Sequence, residues 1–298
     1  MLSCCCFWPP PARLRLSGRA LIARIATAAA NTILSASQQI HWSFVMIGNI
    51  MRKYILFLCA VLFCCSCKNA QNKIVIEGDI KGGDGSELVL AMVTNNGLQV
   101  LDSVKMKEGH FRFELKPETE EDLANASTPM MYQLMLSPYN TLTTIAQGGD
   151  HLVFTAEAEN LVSTYRVSGG EEAMLVCQLD SALHAFAQSV EQLYAFYVKN
   201  INNDSARAEV EKNYLQLRQE HKQYLQTFIQ QHPDKMASYI AFYQSYNRGV
   251  FFNEMKDRKM LETITKSLKN KYPDNPYIQN MQQRMQMLDL MGNENREQ

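Results

Sequence analysis

The chain has 298 residues with 29 basic and 30 acidic side chains, which gives a formal net charge of −1 at pH 7. Six of the basic residues and none of the acidic ones lie in residues 1–67, which leaves 23 basic against 30 acidic residues and a net charge of about −7 in the remainder. An acidic remainder argues against a nucleic-acid-binding surface, which needs clustered positive charge.

Cysteine and histidine usage limits the chemistry further. Seven of the eight cysteines lie in residues 1–67, and the remainder has only Cys177, which we interpret as a buried structural thiol. A single thiol makes neither an internal disulfide nor a Cys-rich zinc site. The histidines lack the spacing of metal-binding motifs. We therefore predict no catalytic residues, no metal site and no cofactor.

The composition and periodicity of residues 1–50 are not typical of a folded domain. They combine scattered arginines with an alanine-rich run, and they contain no acidic residue and no clean periodicity. One interpretation is an Arg-rich leader peptide. The other is a spurious upstream extension, favoured because a second, complete export signal begins at Met51.

Residues 51–67 read as an export signal. Arg52 and Lys53 precede an apolar run that is shorter than the roughly 20 residues needed to span a bilayer, and Ser66 directly precedes Cys67. A small residue before a cysteine at this place resembles the lipobox of bacterial lipoproteins. We predict a lipoprotein signal peptide cleaved between Ser66 and Cys67, with Cys67 carrying the lipid.

Residues 73–168 show the period-two alternation of β-strands, interrupted by Gly- and Asn-rich turns. The segment at 87–93 is predicted to return along the first strand, and Glu108-Gly109 to join a β-hairpin. The acidic segment 116–128 is predicted to be a loop. The pattern predicts an antiparallel β-sandwich of about eight strands, at residues 73–80, 87–93, 100–106, 110–115, 131–136, 141–146, 152–156 and 164–167.

Residues 171–291 switch to the helical period. Two apolar stripes, from Leu175 to Tyr197 and from Val210 to Phe228, predict two long helices joined as an αα-hairpin. Further helices are predicted at 236–246, 251–271 and 277–291, followed by a polar tail at 292–298. The predicted fold class is therefore α+β, with the β-sandwich domain first and the helical domain second.

Three motifs carry a family resemblance. They are I-x-G-x-I at 76–80, Leu-Asp-Ser-Val at 101–104 and G-x-F-x-F at 109–113. With the helical segment 228–242, they resemble the domain of unknown function, and its spacer, that precede the thioredoxin domain in TlpA-like thiol–disulfide oxidoreductase lipoproteins of Gram-negative bacteria. The resemblance covers about residues 67–291. No W-C-x-x-C motif follows here, so redox catalysis is not carried over.

Two other groups of residues were weighed as sites. Asp102 and Ser103 lack the G-x-S-x-G elbow of a nucleophile, so a strand-end hydrogen bond is expected there. An aromatic stripe has the spacing that a helix core demands, and the alternative is a partner surface for a peptide or an envelope protein. Its members are Tyr239, Phe242, Tyr243 and Tyr246.

These observations predict a lipoprotein of the Gram-negative cell envelope, held to the outer membrane by the lipid on Cys67 and facing the periplasm. Residues 68–70 carry no acidic side chain of the kind that accompanies surface display in similar lipoproteins. The predicted function is a non-catalytic binding or scaffold module. The alternative is a remnant or separated N-terminal half of a thiol–disulfide oxidoreductase lipoprotein.

Overall fold

The computed structural model describes residues 72–297, with side chains from 72 to 290 apart from that of Glu121. The chain divides into two compact units, residues 1–67 and 68–298. The first unit lies outside the described residues, and so do the predicted leader, the signal peptide, the cleavage after Ser66 and the lipidation of Cys67. Among the residues described, no helix is long and apolar enough to cross a membrane.

Eight strands form two four-stranded sheets, and helices follow them, so the predicted α+β class is confirmed. The first sheet has the order β4-β1-β7-β8, and the second has the order β3-β2-β5-β6. In chain order the strands are β1 (Ile74–Lys81), β2 (Glu87–Thr94), β3 (Gly97–Lys105), β4 (His110–Leu115), β5 (Met130–Ser137), β6 (Asn140–Ala146), β7 (His151–Glu157) and β8 (Arg166–Ser168).

The pairing differs from the sequence-based prediction at two predicted hairpins. β1 and β2 lie in different sheets, and so do β3 and β4, although Glu108 and Gly109 make the expected tight turn with positive φ angles. β1 instead pairs with β4 on one side and, in parallel, with β7 on the other. The first sheet is therefore mixed, because β1 is antiparallel to β4 and parallel to β7.

The glycines of two sequence motifs are explained by close backbone contacts. A Cβ atom at Gly78 would lie 2.1 Å from the carbonyl oxygen of Phe154 on β7. Gly109 has a φ of +80°, and a Cβ there would lie 2.5 Å from the carbonyl oxygen of Ile80. Both positions need glycine because a larger residue would push the neighbouring backbone away.

The helices largely follow the prediction, with several differences. A helix of four residues (Leu161–Thr164) precedes β8, and the last helix continues through Glu297 into the predicted polar tail. The predicted acidic loop contains a short helix, which begins with a capping box between Thr119 and Asp122. The predicted helix at 236–246 ends early, and a small hairpin of β9 (Ser245–Tyr246) and β10 (Gly249–Val250) precedes the next helix, which starts later than predicted. The helices are α1 (Glu120–Ala126), α2 (Leu161–Thr164), α3 (Glu171–Lys199), α4 (Asp204–Gln231), α5 (Met236–Tyr243), α6 (Arg258–Lys271) and α7 (Pro276–Glu297).

One hydrophobic core runs from the sandwich into the bases of the helices. α3 packs against β6 and β8 at its start and against α4 along its length. The carboxylate of Glu172 accepts hydrogen bonds from the backbone N–H groups of Met236 and Ala237, both at 3.0 Å, and so caps α5. The buried Asn275 and Tyr277 join the start of α7 to the sandwich.

The far end of the αα-hairpin is built differently. Beyond Phe186 on α3 and before His221 on α4, the two helices pack mainly on each other, and Ala206 is the only buried residue in residues 187–220. Near the base, Arg218 still donates a hydrogen bond of 2.8 Å to the Val250 carbonyl oxygen on β10. We call this segment, residues 187–220, the distal arm.

Candidate functional site

A cleft of about 540 Å³ opens at the end of the sandwich where β1 begins and β4 ends. Its size lies within the range of ligand pockets. α1 forms one side, and the edge strand β3 forms the opposite side. Apolar side chains make its floor, and a mainly acidic set makes its rim: Ile74, Met92, Leu101, Leu115 and Tyr132 below, and Asp102, Glu114, Lys116, Glu118 and Asp122 above.

The strand register brings Asp102 to the mouth of the cleft. Asp102 lies directly opposite Leu90, whose side chain is fully buried, and the two share the inner face of the sheet. A β-bulge follows, since the next pair joins Ala91 to Val100 and leaves Leu101 without a partner. Asp102 Oδ1 also accepts a hydrogen bond of 2.8 Å from the backbone N–H of Ser103. An inward-pointing charge and a bulge on an edge strand both hinder indiscriminate strand pairing.

Tyr132 is the unusual residue of this cleft. It is 3% exposed, yet its hydroxyl has no hydrogen-bond partner among the described residues. The equally buried Tyr165 donates a hydrogen bond of 2.8 Å to Asp180 Oδ2. Burial, together with the nearby charges of Asp122 and Asp150, raises the pKa of Tyr132, so this hydroxyl stays neutral. A hydroxyl that reaches the cleft without a protein partner can donate a hydrogen bond to a bound ligand and accept one from it.

Two of the rim carboxylates, Glu114 and Asp122, have lowered pKa values. Hydrogen bonds from Lys73 and Lys116, at 2.8 and 3.0 Å, lower the pKa of Glu114 to about 2. The hydroxyl and backbone N–H of Thr119 lower the pKa of Asp122 within the capping box. Lys73, Lys116 and Arg112 all pair with Glu114, so the negative potential at the mouth comes from the other three carboxylates and favours a cation.

The sequence indicated little of this cleft. The sequence indicates Asp102 only as a strand-end residue, and it predicts a loop where the Thr119–Asp122 capping box begins a helix. Tyr132 lies in the β5 pattern at a position like that of any core residue of the strand. The lack of a partner for its hydroxyl depends on β3, β4 and α1, which are remote in sequence, so no local signal reveals it.

The predicted aromatic stripe lies mostly in the core. Phe242 is 1% exposed and stacks on Phe252 with ring centroids 5.3 Å apart. The other three are half-buried: Tyr239 packs on Tyr243, and Tyr246 meets the edge of another core ring. The four side chains therefore do not form an exposed face that a partner could cover.

Cys177 and the histidines are each engaged locally. The Cys177 thiol is buried 3.7 Å from the carbonyl oxygen of Tyr165, and burial raises its pKa. A raised pKa lowers the thiolate fraction and hence the nucleophilicity. His110 contacts Asp79, and His151 contacts Glu77. Across residues 72–290, no group of three metal-ligating side chains comes together.

Comparisons with curated proteins and with solved structures found no match for this chain. The family model described as Domain of unknown function (DUF4369) matches residues 74–175. That range runs from the first residue of β1 into the first turns of α3 and contains the three sequence motifs. The predicted resemblance to a domain of unknown function is therefore confirmed. The match covers the β-sandwich that carries the cleft.

Proposed function

We propose that the chain is a lipid-anchored cell-envelope protein whose β-sandwich binds a ligand in this cleft and catalyses no reaction. The observation that carries the proposal is the unpaired hydroxyl of Tyr132 at the cleft floor. A hydroxyl that faces the cleft without a protein partner can form a hydrogen bond to a ligand, worth about 0.5–1.5 kcal/mol. The described residues around it offer no nucleophile with a general base beside it, so binding fits the cleft better than catalysis.

The chemistry of the cleft suggests the class of ligand. An apolar floor with a carboxylate rim fits a group that joins an aliphatic stem to an ammonium or guanidinium head, as lysine and arginine side chains do. β3 pairs with β2 on one side only, so within the described residues its other edge is free to add an extended segment. We therefore propose an extended peptide in which apolar and basic residues alternate.

The cleft should discriminate between two probe peptides. Fluorescence anisotropy of the purified full chain in a neutral detergent would use labelled, acetylated and amidated hexapeptides of alternating leucine with lysine or with glutamate. We expect only the lysine peptide to bind. Tyr132→Phe should weaken binding by about two- to tenfold, the value of one hydrogen bond. Tyr139→Phe, at a tyrosine that is 99% exposed, is the matched control.

Two results would refute the cleft as the site. One is equal binding of the lysine and glutamate peptides, and the other is equal affinity of the Tyr132→Phe and Tyr139→Phe variants. Asp102→Asn keeps an acceptor for the Ser103 N–H and removes the charge, so it should weaken binding and reduce its dependence on salt.

The anchoring part of the proposal rests on the sequence of residues 51–67. Metabolic labelling with an alkyne palmitate should mark the wild-type chain and not the Cys67→Ala variant. Equal labelling of both would contradict lipidation at Cys67. Fractionation of the labelled cells would then test the proposed location on the periplasmic side of the outer membrane.

The alternative proposal is a separated N-terminal half of a thiol–disulfide oxidoreductase lipoprotein. It draws on the resemblance of the three motifs, now supported by the domain match. Because Cys177 is buried, the reactive thiols in that case would belong to another chain. A thioredoxin-domain protein encoded immediately downstream, and binding to this chain, would favour the alternative.

A further inference from the structure

The distal arm carries an apolar groove along one face. Val190, Leu193, Tyr194 and Tyr197 line it from α3, and they follow the i, i+3, i+4, i+7 spacing of a single helix face. α4 contributes a matching stripe with the same spacing, namely Arg207, Val210, Glu211 and Tyr214. The groove encloses about 350 Å³, and Tyr194 at its centre is 66% exposed.

This groove lacks the third layer that the base of the same hairpin has. At the base, α5 packs on both α3 and α4, and side chains such as Phe186 and Leu225 are buried. In the distal arm Arg218, near the base, still contacts Val250 and Phe251, whereas the side chains of the groove are half-buried or exposed. A helix stripe that is apolar along one face gains stability when another layer covers it.

The charges of the groove are arranged about its midpoint. α3 ends at Lys199 and α4 begins at Asp204, so Tyr194 and Glu209, each five residues from its end, lie at about the same height. Arg207 stands two residues before Glu209, and Glu211 stands two residues after it. A twofold axis that relates two copies and crosses both arms at this midpoint would place Arg207 of one copy at the height of Glu211 of the other. It would therefore bring Arg207 of one copy beside Glu211 of the other.

We infer that the groove is covered by the same groove of a second copy of this chain, so that two distal arms form a four-helix bundle. Twofold interfaces are self-complementary, and one cation and one anion placed symmetrically about the centre meet that condition. Tyr194 sits where the two copies meet, and tyrosine is among the residues that dominate interface energies. A lipid surface is a poorer match, because it would favour a net basic rim.

The test reverses the charge of Arg207 or of Glu211, because these two residues form ion pairs with each other only between two copies of the chain. Sedimentation of the purified full chain in a density-matched neutral detergent should show a dimer for the wild type. Arg207→Glu and Glu211→Arg should each weaken dimerisation by about tenfold, because each replaces two intermolecular ion pairs with two repulsions. Mixing the two variants should restore the dimer, since each variant supplies the charge that the other lacks.

Tyr194→Asp should abolish the dimer, whereas Val100→Asp on β3 is the matched control at a residue that is 63% exposed. Circular dichroism would establish that each variant is folded. A monomeric wild type, dimers that persist in Tyr194→Asp, or no recovery on mixing would each overturn the inference. Loss of vesicle binding in Tyr194→Asp, with a monomer throughout, would identify a lipid surface as the occupant instead.

Discussion

The two ends of the αα-hairpin have similar sequences and different surroundings. At the base, α3 contributes Leu175, Leu179 and Phe186 to a core shared with the sandwich, and each is less than a tenth exposed. In the distal arm the same periodic stripe continues through Val190, Leu193 and Tyr197, which are only half-buried. The comparison teaches that a helical stripe indicates which face needs a partner but not whether the same chain supplies it.

The largest expected contrast between base and arm comes from removing one large side chain from each. Leu179→Ala at the base, at a residue that is 0% exposed, should lower the free energy of unfolding by about 2–5 kcal/mol because it leaves a cavity. Leu193→Ala in the arm should lower the free energy of unfolding of the monomer by about 1 kcal/mol or less. Urea unfolding followed by circular dichroism measures both, and equal losses would contradict the distinction.

The next largest loss of stability is expected where the start of α7 is hydrogen-bonded to the sandwich. Asn275 is fully buried, and its Nδ2 donates to Thr128 Oγ1 at 3.0 Å and to the Pro129 carbonyl oxygen at 2.9 Å. Asn275→Ala leaves these acceptors unpaired and should lower the free energy of unfolding by about 2–3 kcal/mol. Asn280→Ala is the control, because its bond to Asn95 is exposed. A loss as small as the control's would show that Asn275 does not join the two parts.

A carboxylate at the base should make stability depend on pH. Burial raises the pKa of Asp180 to about 6, from an ordinary value of 3.8. The folded state therefore favours the protonated form, and the stabilisation present below about pH 4 is lost as the pH rises through about 6. The asparagine in Asp180→Asn does not ionise. The free energy of unfolding of this variant should therefore rise relative to that of the wild type by about 1–3 kcal/mol between pH 4 and pH 7.

Urea midpoints at several values from pH 4 to pH 7 would measure that gain. Asn280→Ala is the control, since the asparagine side chain does not titrate over this range. Its difference from the wild type should stay constant with pH. A constant difference for Asp180→Asn as well would contradict the assigned pKa.

The smallest expected effect compares two buried hydroxyls. Tyr165→Phe removes a bond to Asp180 and should lower the free energy of unfolding by about 1–2 kcal/mol. Tyr132→Phe removes a hydroxyl without a partner among the described residues, so it should change stability by less than about 0.5 kcal/mol. Thermal unfolding of the two variants measures the contrast. A large loss in Tyr132→Phe would mean that its hydroxyl is already satisfied in the free protein.

The elements of this fold were largely predictable from sequence, and their partners were not. Alternation located the eight strands of the sandwich, and the helical period located α3 and α4, because both patterns are local. The parallel pairing of β1 with β7 joins Val75 to His151, and no short pattern encodes a contact over that separation. The glycine at 78 was noticed as part of a motif, but its reason is the carbonyl oxygen of Phe154.

The candidate site was less predictable for the same reason. The predicted aromatic stripe was a local pattern, and it became mostly core. The cleft depends on a bulge at Leu101, the short helix α1 and an unpaired hydroxyl on β5, three features that only the assembled sheets bring together. Tertiary placement therefore decides which polar groups are left unsatisfied.

The central position of β1 also has a consequence for the order of folding. The strand is the earliest described element, yet one of its two neighbours, β7, begins at His151. In a chain that emerges or is exported N-terminus first, β1 keeps one unpaired edge until β7 arrives. Distant pairing of this kind slows folding. The exposed edge of an isoleucine-rich strand is then the segment that a holding chaperone would need to protect from aggregation.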